Sequence, residues 1–237
     1  MIRIGTAGWS IPKAYAREFP GEGTHLERYA RRLPISEINQ TFYKLPRITT
    51  LQKWRASTPA DFRFSLKLHR SFTHFHKLAS TEGLTEFIET VSHLREKLFA
   101  LLVQLPPSLQ FHEDTAGSFF GTLRRYYEGY IALEPRHPSW MEAEALLQEL
   151  RIARVAADPA RYESDSEPGG YEGFVYYRLH GAPKIYYSEY SEEFLRELAR
   201  KLTAHPAKEK VVIFDNTASG AAIKNALKLM ELVHEAQ

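Results

Sequence analysis

The ten residues Ile131-Ala-Leu-Glu-Pro-Arg-His-Pro-Ser-Trp140 open as an apolar strand and end in Glu134, Arg136 and His137, with Pro138 and Trp140 closing the turn into a helix. Side chains alternate across a strand, so Ala132, Glu134 and Arg136 share one face while Ile131 and Leu133 share the other. A carboxylate and a guanidinium at a strand's C-terminal end are costly to bury unless they are paired or used. In a parallel barrel that end is where active sites form.

The same phase recurs elsewhere. Glu37 and Asn39 share a face of a second strand, and Ser65, Lys67 and His69 share one of a third, against Phe64, Leu66 and Leu68. Gln104 stands against Val103 and Leu105, and Asp158 falls beyond Ala156. Tyr176, Arg178 and His180 oppose Val175, Tyr177 and Leu179, and the last strand ends in Asp215 and Asn216. Strands covered on both faces should otherwise be almost continuously apolar. Polar groups arriving late on one face of seven strands point to a working site, the bland alternative being a charge-balanced plug of ion pairs.

The chemistry these types support is proton transfer on an anion. Arg136, Arg178 and Lys67 would hold a phosphate or carboxylate, Arg being suited to two-pronged contact. Glu134 or Glu37 would be the general base or acid, with Lys67 and His180 completing the catalytic set. Asn39, His69, Gln104, His137, Asp158, Asp215 and Asn216 are expected to line the pocket, with Trp9, Tyr43 and Trp140 as stacking surfaces. If Arg178 and Lys67 face a ligand, removing either should cost little stability. The carboxylates and histidines could also hold a divalent metal, as in a phosphoester hydrolase or nuclease. Three cations at the same mouth oppose that, so no metal ligand is assigned and the cofactor stays open. A third alternative is a non-catalytic binding barrel. Asn216-Thr-Ala-Ser-Gly220 runs from the last strand into the last helix, where barrels often bind phosphate; ordinary capping by Ser219 or Thr217 is the plainer reading.

The elements that would position these residues alternate. Strands are expected near Ile2–Gly5, Ile35–Asn39, Arg63–Leu68, Ala100–Leu105, Tyr130–Glu134, Arg154–Ala157, Val175–Leu179 and Val211–Phe214. Thr24-His-Leu-Glu27 is a capping box ahead of Leu26, Tyr29, Ala30 and Leu33. Leu84, Phe87, Ile88, Val91, Leu94 and Leu98 form the clearest helical face, and Ser191 should cap a helix carrying Phe194, Leu195, Leu198, Ala199 and Leu202. Ile223, Ala226, Leu227, Met230 and Val233 form the last such face. Residues 158–173 are polar and rich in Gly and Pro, so the helix after the sixth strand should be short or missing. Eight strands alternating with helices predict one (β/α)8 TIM barrel over residues 1–237, an α/β fold.

Composition agrees with that single unit. The chain has 237 residues, 43% of them hydrophobic, and no cysteine, which excludes disulfides and thiolate chemistry. A net charge of +2 gives no support for a nucleic-acid partner, leaving a small anionic molecule as the expected one. No apolar run approaches the roughly 20 residues of a membrane span and no signal peptide opens the chain, so a cytoplasmic location is expected. No feature of the pattern sets an oligomeric state.

Read in order, the blocks Gly5-Thr-Ala-Gly-Trp9, Glu37-Ile-Asn-Gln-Thr-Phe-Tyr43, Phe62-Arg-Phe-Ser-Leu-Lys67 with Thr73-His74, and Gln104-Leu-Pro-Pro107 carry a resemblance. Glu134-Pro-Arg-His-Pro-Ser-Trp140, Tyr177-Arg-Leu-His-Gly181 and Phe214-Asp-Asn216 with Asn225-Ala226 extend it to the end of the chain. Together they resemble the YecE-like family, domain of unknown function seventy-two. Asp215 is a departure, since such proteins usually carry asparagine there. The resemblance implies a TIM barrel with its pocket at these blocks, and it implies no reaction.

Overall fold

The structure, a computed structural model, describes residues 1–236. Its strands are β1 (Ile2–Ala7), β2 (Ile35–Ile38), β3 (Arg63–Lys67), β4 (Leu98–Gln104), β5 (Tyr130–Glu134), β6 (Ile152–Arg154), β7 (Ala156–Asp158), β8 (Gly169–Gly170), β9 (Phe174–Leu179) and β10 (Glu209–Phe214). One sheet joins them in the order β7-β9-β10-β1-β2-β3-β4-β5-β6-β8. Only the two-residue β8, against β6, is antiparallel.

β6 and β7 are two halves of one strand. Only Val155 separates them, and its N–H donates to the Leu133 carbonyl at 2.8 Å. The first half pairs with β5 and the second with β9, so together they bridge the two ends of the sheet. Nine strands thus fill eight barrel positions, with β8 lying outside them against β6. The fold is the expected TIM-like α/β barrel, with the sixth strand broken.

The helices are α1 (His25–Ala30), α2 (Ile48–Ala56), α3 (Leu84–Val91), α4 (Glu113–Tyr126), α5 (Glu144–Glu149), α6 (Glu192–Ala204) and α7 (Ala221–Glu235). On α4, Ala116, Phe119, Phe120 and Leu123 recur at helical spacing and are buried, and fully burying each phenylalanine contributes roughly 1.5–3 kcal/mol. Thr24 and Glu27 form the expected reciprocal cap on α1, and the Ser191 hydroxyl accepts from the Phe194 N–H on α6. The long helical face expected through Leu98 ends earlier. α3 stops at Val91, a 3-10 segment (Ser92–Lys97) follows, and Leu98 opens β4. The backbone leaves helical geometry at Arg95, at φ 50° and ψ −128°, and Lys97 then turns inward to donate to the Thr58 carbonyl at 2.5 Å and the Arg55 carbonyl at 2.7 Å.

No α-helix follows the sixth strand, as its composition implied; a short 3-10 turn (Glu163–Ser166) stands there. Arg154 fastens that loop, its guanidinium donating to Glu144 at 2.5 Å and to the Ser164 carbonyl at 2.6 Å.

Two apolar layers result. Phe64, Leu66, Leu101, Val103, Ile131 and Leu133 face outward to the helices. Ile35, Leu102, Ala132, Val155, Tyr176 and Ile213 are among those that fill the barrel interior. Gly5 is required where β1 passes β2: a Cβ there would stand 1.9 Å from the Ile35 carbonyl oxygen. Among the described residues no helix is long and apolar enough to cross a membrane.

Candidate active site

Above the apolar interior, the inward phase of β2, β3, β4, β5, β9 and β10 runs out into polar residues, because the alternation that puts Ala132 inside also puts Glu134 inside. Arg178, at the end of β9, is the centre of what forms. It is 1% exposed and donates through Nε and Nη2 to both oxygens of Glu37, at 3.1 and 2.7 Å. Nη1 reaches Glu134 at 2.5 Å, and Nη2 also reaches Asp215 at 3.2 Å. Three carboxylates from β2, β5 and the end of β10 therefore converge on one guanidinium. Beneath them the Tyr176 hydroxyl lies 2.8 Å from both Glu37 and Ser65, donating to the carboxylate and accepting from the serine.

His180 bridges the open side. Its Nδ1 donates to Asp215 at 3.0 Å and its Nε2 to Glu134 at 3.2 Å. Two N–H donors facing two carboxylates describe an imidazolium. Burial opposes that charge, but the hydrogen bonds to Asp215 and Glu134 outweigh it and raise the histidine above its ordinary pKa. Burial would raise Glu134, yet Arg178, His180 and Arg136 together hold its carboxyl well below the usual range. Asp215 is likewise lowered, against burial, by Arg178 and His180. Arg136 pairs with Glu134 from above, and its buried Nε has no partner among the described residues.

Lys67 is different. It ends β3, with Nζ 4.2 Å from the centre of the Phe42 ring, and among the described residues that Nζ makes no hydrogen bond or salt bridge. Burial and the neighbouring Arg178 charge bring its pKa down to about 8, partly opposed by Glu134, Glu37 and Asp215.

The structure thus gathers Glu37, Lys67, Glu134, Arg136, Arg178, His180 and Asp215. Gln104 joins them at the rim, in register with Glu134 on the adjacent strand. Other expectations fall elsewhere. Asp158 faces outward, its carboxylate accepting from the Tyr190 hydroxyl at 2.7 Å, because Val155, not Ala156, carries the inward phase. Trp140 is 1% exposed, donates to the Leu109 carbonyl at 3.0 Å and packs on Phe111 and Phe120. Trp9 packs edge-on to Trp54 and Phe64 in the outer layer. Asn216 is a fully buried latch, its amide donating to the Ser188 carbonyl and to Asn225 at 2.8 and 2.9 Å.

Four more residues stand outside the cluster. Asn39 leaves the strand for a 3-10 turn (Gln40–Phe42), with a buried Oδ1 lacking a partner among the described residues. His69 turns to Ser71 and the Tyr43 carbonyl, Tyr43 itself is 63% exposed, and His137 bonds Ser139 at its own helix start. Ser219 caps nothing: its hydroxyl donates to the Tyr187 carbonyl at 2.6 Å, and Gly220 holds the N-cap of α7.

Phe42, Ser65 and Tyr176 are the partners that the set of candidates left out. The inward alternation carries Ser65 and Tyr176. Nothing in the sequence tells which of Phe42 and Tyr43 turns inward.

The model of the family described as "Protein of unknown function DUF72" matches residues 3–237. The chain belongs to that family. The likeness to the YecE-like proteins that the motif blocks carried is thereby borne out. The DUF72 chain is 23% identical to the UPF0759 protein YunF of Bacillus subtilis (strain 168), over 98% of this chain and 95% of that one. A crystal structure of a DUF72 family protein from Thermotoga maritima MSB8 superposes with a TM-score of 0.76 at 26% identity, covering 99% of each chain. One from Enterococcus faecalis V583 gives 0.78 at 24% identity, covering 99% of this chain and 98% of that one. These likenesses carry family and fold; the chemistry rests on the site itself.

Proposed function

We propose that this DUF72 protein is an enzyme acting on a small anionic molecule by general acid–base chemistry at the barrel mouth, with His180 as the proton carrier. The observation that supports this most is the imidazole bridging Glu134 and Asp215 at the open side of the cluster. The hydrogen bonds to Asp215 and Glu134 raise its pKa, so the ring is held ready to donate a proton. The acid–base role expected of Glu134 or Glu37 moves to His180. A carboxylate held as low as Glu134 is a poor base, and Glu37, at 0% exposure, is enclosed by Arg178 and Tyr176. Glu134 and Asp215 orient the imidazole instead. Arg136, 26% exposed at its side chain, receives the anion.

A metal-dependent phosphoester hydrolase draws less support. The carboxylates that converge do so on a guanidinium, and among the described residues no three or more His, Asp or Glu side chains are grouped to hold an ion.

The test is a panel of small phosphates and carboxylates incubated in deuterium oxide and followed by NMR for turnover or proton exchange. At least one compound should react, and His180→Gln should slow it by about 10²–10⁴-fold, the usual effect of a lost general acid or base. Unchanged rates in His180→Gln, or anions that bind without reacting, would overturn the reading in favour of a binding barrel.

A further inference from the structure

We propose that Lys67 is a nucleophile that forms an imine with the substrate, which makes the substrate class a small aldehyde or ketone bearing a carboxylate or phosphate. This rests on the acid–base reading of the same mouth and goes beyond it by naming a covalent step.

Most of the cations gathered in the cluster are already occupied. Arg178 gives its donors to Glu37, Glu134 and Asp215, and both His180 nitrogens are taken. Arg136 keeps an unpartnered Nε but pairs with Glu134. The Lys67 ammonium has no oxygen partner among the described residues, although Glu37, Glu134 and Asp215 all lie in its electrostatic surroundings. A lysine serving only as a charge would be expected to take one of those carboxylates. This one rests on the Phe42 ring at 4.2 Å, beside a buried guanidinium. Partial burial beside another cation is the setting that makes a lysine amine neutral and nucleophilic near neutral pH. Nearby His74 is lowered by burial and then by the Lys67 charge.

The step balances without any outside reagent. The neutral Nζ attacks the carbonyl carbon, a C–N bond forms, and the carbonyl oxygen takes a proton from the His180 imidazolium. Nζ then returns a proton to the neutral imidazole. The imidazolium regenerated in that transfer protonates the hydroxyl, and water leaves as the nitrogen lone pair closes the C=N bond, giving a protonated imine and a neutral imidazole. Amine and carbonyl become imine and water, and no redox change occurs. A protonated imine would then act as an electron sink for a proton leaving the adjacent carbon, which is chemistry a bridged imidazole can serve.

Glyoxylate, an aldehyde carrying a carboxylate, is the probe. Trapping with cyanoborohydride converts its imine into a carboxymethyl group on the lysine, located by peptide mapping. With a pKa of about 8, Lys67 is roughly 9% neutral at pH 7, against about 0.03% for an ordinary lysine. Its lower intrinsic basicity offsets part of that ratio. Lys67 should therefore label at least about tenfold faster than exposed Lys184 or Lys224, and Lys67→Arg should leave only their background. Labelling of Lys67 no faster than those two overturns the imine.

Glycolate, the same anion without the carbonyl, separates the two failures by ligand-observed NMR. Glycolate binding that is lost in Arg136→Met, together with no preference for Lys67, overturns the covalent step and leaves the acid–base reading standing. Absence of both binding and labelling overturns the two together.

Discussion

Replacing Arg178 with methionine tests whether the guanidinium holds the barrel together or waits for a ligand. Methionine keeps much of the length and apolar volume while deleting every donor. Glu37 would keep only the Tyr176 hydroxyl, Glu134 would keep Arg136 and His180, and Asp215 would keep His180. Glu37 and Glu134 lie at 0% and 1% exposure, so neither can be rescued by water without opening the site. Removing one partner of a buried pair costs about 3–5 kcal/mol. Taking about 4 kcal/mol, and an unfolding entropy of about 0.5 kcal/mol/K for a chain of this length, the midpoint should fall by roughly 8 °C. The deficit should depend on pH. Wild-type Glu134 and Asp215 have lowered pKa values, so their stabilisation is present above the unfolded carboxylate range and is lost as pH falls through the folded values. In the variant those carboxyls take up protons more readily, and the gap to wild type should narrow between about pH 7 and pH 5. Calorimetry and urea unfolding at both pH values read this directly. A fall of less than about 2 °C, with anion binding lost, would refute the reasoning and restore the ligand-facing role that the sequence pattern suggested for Arg178.

His180 carries the opposite sign: its pKa is raised, so its contribution is complete below about pH 6.5 and is lost as pH rises through the folded value. The stability difference between wild type and His180→Gln, measured by urea unfolding, should therefore be smaller at pH 9 than at pH 6. Tyr176→Phe takes one donor from Glu37, which keeps Arg178, and leaves the buried Ser65 hydroxyl without its partner, so it should cost about 1–3 kcal/mol in the same assay. Gly5→Ala sets a Cβ 1.9 Å from a backbone oxygen that only a strand shift can move, so a loss of at least about 3 kcal/mol or failure to accumulate as folded protein is expected by circular dichroism.

How far the sequence carries differs from strand to strand, for a physical reason. On β3 and β9 large apolar residues alternate with polar ones, so the alternation alone assigns Lys67 and Arg178 to the inward face. The sixth strand offers Ala153, Val155, Ala156 and Ala157, with only Arg154 polar, and a long arginine at the start of the expected strand does not say which face is inward. The expectation for Asp158 fails there. Trp9 and Trp140 follow strands, which suggests mouth residues, but rings of that size contribute most when packed, and both pack. Alternation also says which side chains share a face without saying which of them pair. The Arg178 pairings join β9 to β2, β5 and the end of β10, a closure set by the barrel as a whole.

That closure decides where a ligand can act. With Arg178 enclosed, Arg136, just past β5, and Lys67, at the end of β3, remain open to an anion or an electrophile. Only β4 lies between those strands, and it presents Gln104 at its tip. Neighbouring strands are about 4.8 Å apart, so the backbones bearing the two cations are separated by roughly 10 Å, less whatever their long side chains take up. A molecule of a few carbons, with an anionic end at Arg136 and a carbonyl at Lys67, would cross the Gln104 amide on its way. Gln104 can donate to or accept from the middle of such a chain, which makes it the residue placed to discriminate substituents there. Gln104→Leu should therefore alter which anionic carbonyl compounds compete with glyoxylate for Lys67. It should leave the labelling rate with glyoxylate itself within a few-fold, because a two-carbon probe is too short to reach across. Equal loss for every compound would place Gln104 in support of the cluster and remove it from the path of the ligand.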